Sequence, residues 1–551
     1  MASVAGPHEH KPWSMTRVVT ASSAGTAFEW YDFFIFGSLA TIISKVFFAG
    51  LDPTSALIAA LGLFAAGFAF RPLGAIIFGV MGDRVGRKAT FLTTVSLMGG
   101  ATFAIGLLPT YEQAGILAPI LLIFLRICQG TALGGEYGGA AIYVAEHSDD
   151  DKRGWSTGWI QSSAAVGLIG ALAVILATRT ALGEEAFAAW GWRIPFLVSI
   201  FLLGISVWMR FKLSESPAYA KLKAEGEVTK APLREAFADR KNLKIVLIAF
   251  FAFMAAQGAV WYSSFFYIQV FLERQLGMAG ASVNLVIMVM TIVSAPLYVF
   301  FGWLSDRMGR KKVMVAGMAL ALAAYIPGYH AIADAVNPAL VAAQERTPVV
   351  VETDPATCSV QFDPVGTRRF DTACDIAKSQ LASTGIGYSD RASADGRTRI
   401  LVGGTALEVA DGTALDGPAL KARKAEVASA LKVNLATAGY PPSAQPEVIN
   451  WVKLYTWMLV FVVAATALYG PQAAALVEMF PTRIRYTAMS LPYHIGTGWV
   501  GGFLPVTSFA LVAITGDIYA GLWYPIFFTA LSVICALIFM KETAGKPLEE
   551  C

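Results

Sequence analysis

The sequence predicts an all-α membrane protein. It reads as twelve transmembrane helices in two homologous six-helix halves, with a small extracytoplasmic α/β insertion in the second half. Three observations predict this. Hydrophobic residues make up 56% of the 551 positions and charged residues only 15%, against about a quarter charged in an ordinary soluble domain. Apolar runs of about 20 residues recur, a length that crosses a ~30 Å hydrocarbon core. A charged phrase is written twice between such runs, GVMGDRVGRK from Gly79 and GWLSDRMGRK from Gly302.

The spans are expected at 17–40, 55–80, 89–109, 115–145, 156–178 and 192–212, then 244–272, 280–304, 311–330, 451–478, 486–512 and 520–541. The start of the chain lacks a small-residue cleavage site, and the first apolar run contains Glu29 and Asp32, so that run is expected to stay as an anchor. Residues 212–244 form a linker with eight basic and five acidic residues. Domain bounds follow: a first half at 1–211, the linker at 212–244, a second half at 245–330 and 451–551, and the insertion at 331–450. Basic loops lie preferentially on the cytoplasmic side. Placing the two DR-x-GRK loops and the linker there puts both termini in the cytoplasm and the insertion in the periplasm. The loop EHSDDDKRG fits poorly, because it falls inside and is net acidic.

The repeat accounts for the duplicated phrase. Asp83 and Asp306 are 223 positions apart, while Glu146 and Arg153 are echoed by Glu478 and Arg485 at an offset of 332. The difference, 109, is close to the length of the insertion. The second half is therefore the first half with a module added after its third helix.

Twelve spans, a basic central linker and two complete copies of G-x-x-x-D-R-x-G-R-K resemble the major facilitator superfamily. The stretches FEWYDFFIFG, RICQGTALGGEYGGAAIYVAEH and EMFPTRIRYTAMSLPYHIGTGWVGGFLP are similar to its metabolite:proton symporter branch, which includes organic-acid and proline/betaine carriers. The insertion has no counterpart in that pattern. The resemblance implies alternating access and a gating role for Gly79, Asp83, Arg84, Gly86 and Arg87, and for Gly302, Asp306, Arg307, Gly309 and Arg310. A carboxylate at the C-terminal end of its own helix faces an unfavourable dipole. Arg84, Arg87 or the N-terminus of an opposing helix must compensate Asp83: the eleventh span is expected there, and the fifth for Asp306. The alternative is that these charges only orient the chain.

Ionisable residues at membrane depth are costly and are functional candidates by default. Glu29 and Asp32 are three apart and share a helix face. Arg126, Gln129 and Glu136 follow one another along the fourth span, and Arg71 lies in the second. A proton-coupled carrier needs a group that changes charge, and a buried carboxylate can do so. It also needs a grip for substrate, which an arginine fork supplies. Glu29, Asp32 and Glu136 are the proton candidates, with protonation expected to release Arg126 for an anionic group. A static ion pair between the first and fourth spans is the competing reading. Tyr31, Tyr137, Gln257, Trp261, Tyr262 and Tyr493 complete the candidate substrate site, and their aromatic faces also suit a quaternary ammonium.

In the insertion, KSQLASTGIGY and PALKARKAEVASALKVNLATAGYP have helical periodicity, whereas TPVVVET and RTRILVGG read as strands. Cys358 and Cys374 are candidates for a disulfide if the module is exported. The five cysteines show no metal spacing, and a net charge of +3 argues against nucleic acid as a partner. With no P-loop and no nucleophile triad, enzymatic activity is not expected. The reading is a monomeric inner-membrane symporter. It imports a small organic acid or zwitterion, uses protons as the coupling ion and needs no other cofactor. An exporter or exchanger on the same fold, or a sensor with a carrier-like core, is the alternative.

Overall fold

The computed structural model describes residues 15–49, 63, 67–211, 215–359 and 369–548. Among the described residues, twelve helical segments pack into one bundle. They are α1 (Met15–Ser38), α2 (Arg71–Arg84), α3 (Arg87–Leu107), α4 (Leu117–His147), α5 (Arg153–Leu182), α6 (Arg193–Phe211), α7 (Arg240–Gln275), α8 (Gly280–Met308), α9 (Arg310–Val336), α10 (Trp451–Met479), α11 (Arg485–Thr515) and α12 (Ala520–Phe539). The expected second span, 55–80, lies partly outside the described residues, as do 212–214 at the start of the linker. Among the described residues, nine helices are by themselves long and apolar enough to cross a membrane. Their outer faces keep large side chains such as Phe124, Leu176, Phe300 and Phe527 exposed. That is costly in water and cost-free against lipid tails, which are as apolar as the side chains.

The duplication is visible in the packing. Helix α1 packs on α5 as α7 packs on α11; α2 packs on α4 as α8 packs on α10; α3 packs on α6 as α9 packs on α12. The halves meet along α2–α11 and α5–α8, two contacts exchanged by the same pseudo-symmetry. Glycine makes these seams close. A Cβ at Gly79 would meet the Cα of Thr487 at 2.9 Å, and one at Gly302 would run into the backbone oxygen of Gly154. Helix α7 contains three π-helical turns, at Phe250–Met254, Ser263–Tyr267 and Phe271–Gln275. Helix α11 carries another, Ile495–Gly501, just after Pro492.

The insertion is a folded module on the face opposite the repeated loops. Its sheet has β1 (Val349–Thr353), β2 (Tyr388–Ala392), β3 (Thr398–Val402) and β4 (Thr405–Val409) in the order β2-β1-β3-β4, with β1 and β2 parallel and the other pairs antiparallel. β1 and β3 alternate buried and half-buried, as one covered face requires. The helices Ala373–Thr384 and Gly417–Thr437 cover that face with Ile376, Leu381, Leu420 and Val427. Cys358 and Cys374 are joined by a disulfide. The module is fastened to the second half. Asn337 donates to the Leu276 carbonyl at 3.0 Å, the Ala444 amide to Gly277 at 3.0 Å and the Tyr388 amide to Gly516 at 2.8 Å. It therefore ties together the outer ends of α7, α9 and α11.

Candidate functional site

The repeated loops close one face of the bundle. Asp83 accepts the Tyr486 and Thr487 amides at 3.2 and 2.8 Å, at the N-terminus of α11, and pairs with Arg87 at 2.6 Å. Asp306 accepts the Gly154 and Trp155 amides, both at 2.8 Å, at the N-terminus of α5, and pairs with Arg310 at 2.6 Å. Each carboxylate thus caps a helix of the other half, where free N–H groups and the positive dipole end welcome an anion. Arg84 and Arg307 point outward and are exposed. Gly86 and Gly309 adopt φ of 132° and 103°, which only glycine takes without strain. A side chain there would strike the carboxylates of Glu215 and Glu542. Those carboxylates in turn cap α3 and α9, accepting the Arg87 amide at 3.1 Å and the Arg310 amide at 2.8 Å.

Buried ion pairs extend both latches. Glu478 accepts Arg153 at 2.8 Å and Arg310 at 3.0 Å, and Glu146 accepts Arg485 at 2.7 Å. All five side chains are fully buried. Deeper in the bundle lies an aromatic barrier. Tyr137 of α4 stacks on Tyr493 of α11, ring centres 3.7 Å apart and planes within 4°. The Tyr137 hydroxyl accepts Gln161 of α5 at 2.6 Å and Gln472 of α10 at 3.3 Å, and Tyr493 bonds Tyr469 of α10 at 3.1 Å. Tyr469 lies 332 positions after Tyr137, and Tyr493 lies 332 after Gln161. The two hydrogen-bonded pairs are therefore repeat equivalents. Nine residues separate Tyr137 from Glu146, so the barrier sits roughly 13 Å above the latch.

Beyond the barrier is a small cavity between the halves. Arg71 and Gln257 are its charged and amide groups, with Trp30, Trp261, Tyr262, Tyr469 and Tyr493 as aromatic walls and Thr497 beside them. Arg71 also lies over the Phe68 ring, 4.3 Å from its centre. The Trp261 indole donates to Tyr298 at 2.8 Å, which fixes its ring edge. A second cavity opens between α1, α3 and α6, where Glu29 and Asp32 face Val95, Met98, Gly99, Leu202, Leu203 and Ser206. Asp32 shares this cavity with Met98, whose carbonyl accepts the Thr102 hydroxyl at 2.9 Å. Thr102 accepts the Gln129 amide at 2.7 Å, and Gln129 accepts Arg126 at 2.8 Å. The Arg126 guanidinium sits 4.0 Å above the Phe36 ring.

The structure thus sorts the sequence candidates. Arg71, Gln257, Trp261, Tyr262 and Tyr493 share the central cavity. Glu29 and Asp32 share the α1–α3–α6 cavity. Tyr31 instead reaches the Pro195 carbonyl at 3.0 Å, and Tyr137 belongs to the barrier. Glu136 is fully buried in α4, and Arg126 and Gln129 lead toward α3. Sequence reasoning missed Trp30, Tyr469, Thr497, Thr102, Gln161 and Gln472. The repeat offset applied to Tyr137 finds Tyr469. A polar residue such as Thr102 carries no signal inside an apolar run.

Two six-helix halves around a small polar–aromatic cavity define the class: a polytopic bundle organised about a central site. The Major Facilitator Superfamily model matches residues 23–343, and the sugar (and other) transporter model matches 430–551. The chain belongs to the Major Facilitator Superfamily. It is 35% identical over 330 residues to the glycine betaine/proline/ectoine/pipecolic acid transporter OusA of Dickeya dadantii, covering 57% of this chain and 64% of that protein. The match therefore spans a little under two thirds of that relative. The shikimate transporter of Escherichia coli is 34% identical over 325 residues, with 57% and 72% covered. Among solved structures, the proton:xylose symporter XylE bound to 6-bromo-6-deoxy-D-glucose superposes with a TM-score of 0.63 at 15% identity, covering 97% of this chain and 98% of the other. That likeness speaks for the fold.

Proposed function

We propose that the protein is a proton-coupled secondary transporter that imports a small zwitterionic or organic-acid solute by alternating access. The observation that carries this is the central cavity, where one arginine stands among five aromatic rings between the two halves. A solute carboxylate suits the guanidinium fork, and a methylated or ring ammonium suits the aromatic faces. The named solutes of the relatives, among them glycine betaine, proline and shikimate, all carry a carboxylate. Glu29 and Asp32 lie in a separate cavity, so proton and solute need not compete for one position. The repeated-loop face would be cytoplasmic in the inner membrane and the disulfide-bearing module periplasmic, as basic loops and oxidising compartments favour.

An exporter or exchanger would use the same geometry, and flux direction separates the readings. Purified protein in sealed vesicles is given radiolabelled glycine betaine, proline or shikimate under a pH gradient of either sign. Acid outside is expected to drive accumulation with internal acidification. Accumulation only with acid inside would replace import by export. Labelled solute that binds but never crosses would make the protein a sensor.

A further inference from the structure

We infer that the uncovered face of the module's sheet pairs with the same face of a second copy of this chain, across a two-fold axis along the membrane normal. Two copies inserted the same way up in one membrane suffice, whatever solute is carried.

Side chains alternate along a strand, so a sheet has two faces. Here Val349, Val351, Ile400 and Val402 turn toward the two covering helices. The other face consists of two rows that cross the strands. One row reads Ser389, Val350, Leu401, Ala406 across β2, β1, β3 and β4. The next reads Arg391, Glu352, Arg399, Glu408 in the same order. All eight side chains are half-buried or exposed. The charges of the second row alternate plus, minus, plus, minus.

Such a row is complementary to itself. A two-fold axis between facing sheets and parallel to their strands reverses the row without moving it along the strands. Arg391 of one copy then faces Glu408 of the other, and Glu352 faces Arg399. In the apolar row Val350 faces Leu401, and Ser389 faces Ala406. A two-fold axis along the row would instead set each charge against itself, and would also turn one copy upside down in the membrane.

Anchoring selects the favourable axis. Strand β2 starts at the bundle, where the Tyr388 amide donates to the Gly516 carbonyl at 2.8 Å, and its far end at Arg391 and Ala392 is exposed. The turn between β3 and β4 comes back to the base of β1, where a Cβ at Gly403 would meet Thr347 at 3.0 Å. The strands therefore run outward from the bundle. Copies in one membrane are related by rotation about its normal, which is then the strand direction.

Pairing within one sheet accounts for only part of the row. Glu352 and Arg399 bond each other at 3.3 Å, and Glu408 bonds Arg397 at 3.3 Å. Arg391 is exposed and has no ion pair among the described residues. Facing sheets stack ~10 Å apart with their strands nearly aligned. A face of four five-residue strands measures roughly 17 by 19 Å. That is well below the ~800 Å² per copy of a stable soluble dimer. The pairing thus depends on the membrane, which holds both copies in one plane and raises their effective concentration. Each bundle keeps its own central cavity, so the pair joins two complete bundles.

Cross-linking of the whole protein in lipid vesicles tests this, with the free cysteines replaced and the Cys358–Cys374 disulfide kept. One population carries Ser389→Cys and the other Ala406→Cys. A thiol-to-thiol linker of about 10 Å should join copies in the mixture, because these positions face each other at the sheet spacing. Either population alone should give about fivefold less, because its thiols are also offset by three strand spacings along the row. Arg391→Glu and Glu408→Arg each put like charges face to face at two symmetric places, and each should cut the mixed product about tenfold. Both substitutions in one chain bring opposite signs together again, and the product should recover to within about twofold of the original. These edge positions are exposed, so the unfolding temperature should not move. No product, equal yields from mixed and single populations, charge substitutions without effect, or adducts in cell membranes only with other proteins would overturn the inference.

Discussion

The two copies of the charged loop have the same backbone and different wiring. In both, an aspartate caps a helix of the other half, an arginine one turn on pairs with it, and a distant glutamate caps the following helix. The arginines then diverge. Arg310 also grips Glu478, which holds Arg153 as well and accepts Thr543 at 2.6 Å. Arg87 turns its second arm to the Thr482 carbonyl at 2.8 Å, and Glu146 pairs with Arg485. The difference teaches that duplication preserves what the backbone demands. Charge partners are free to drift as long as every buried charge keeps one.

The largest effect should come from breaking the more connected side. Glu478→Ala strips a shared acceptor from two buried arginines, though Arg310 keeps Asp306 and Arg153 keeps Asp150, and should cost about 3 kcal/mol, read as thermal unfolding in detergent. Glu146→Ala loosens one arginine instead of two, Arg485, which still donates to the Phe480 and Leu548 carbonyls at 3.0 and 3.2 Å, so its cost should be smaller. Equal losses would erase the contrast. Next come the glycines, where the copies should behave alike: Gly86→Ala and Gly309→Ala each put a side chain on a backbone that is essentially glycine's alone and against a capping glutamate, at about 1–3 kcal/mol apiece. A cost at one and not the other would show that the backbone match is superficial. The barrier follows. Tyr137→Phe leaves two buried amides short of an acceptor, about 1–3 kcal/mol, whereas Tyr493→Phe removes one hydroxyl bond and should cost less.

The smallest effect is expected in the insertion. The Thr413 hydroxyl beside Asp411, helped by the amides of Thr413 and Ala373, holds that carboxyl below its ordinary range. A depressed folded-state pKa contributes stability above the unfolded value, near pH 4, and loses it as pH falls through the folded one. The stability gap between wild type and Asp411→Asn should therefore be well under about 1 kcal/mol at pH 6 and shrink below pH 4. A gap that grows in acid would contradict that sign.

Much of the bundle could be read directly because a membrane imposes simple rules: apolar runs of fixed length, basic loops on one side, and repeats with a constant offset. The module's β1 and β3 were readable because half-burial imposes alternation. β2 and β4 escaped because YSDRA and TALEV sit at sheet edges and stay largely exposed. The π-helical turns of α7 escaped because no residue type marks them. For the site, residue type showed which groups are expensive to bury, and therefore which to suspect. It did not show which ones share a cavity, because that depends on helix rotation. Tyr31 and Asp32 are neighbours in sequence, yet one bonds the Pro195 carbonyl and the other lines a cavity with Val95, Met98 and Gly99 of α3.

The central claim is that the paired aspartates hold one face of the bundle shut. Val85 and Met308 are exposed repeat equivalents at the ends of α2 and α8, one in each half. Spin labels introduced through Val85→Cys and Met308→Cys, in a background with the free cysteines replaced, report the distance across that face by pulsed electron resonance. The wild-type background should give one short, narrow distribution. Adding Asp83→Asn and Asp306→Asn together should populate a distinctly longer distance. An unchanged distribution in that double variant would contradict the account.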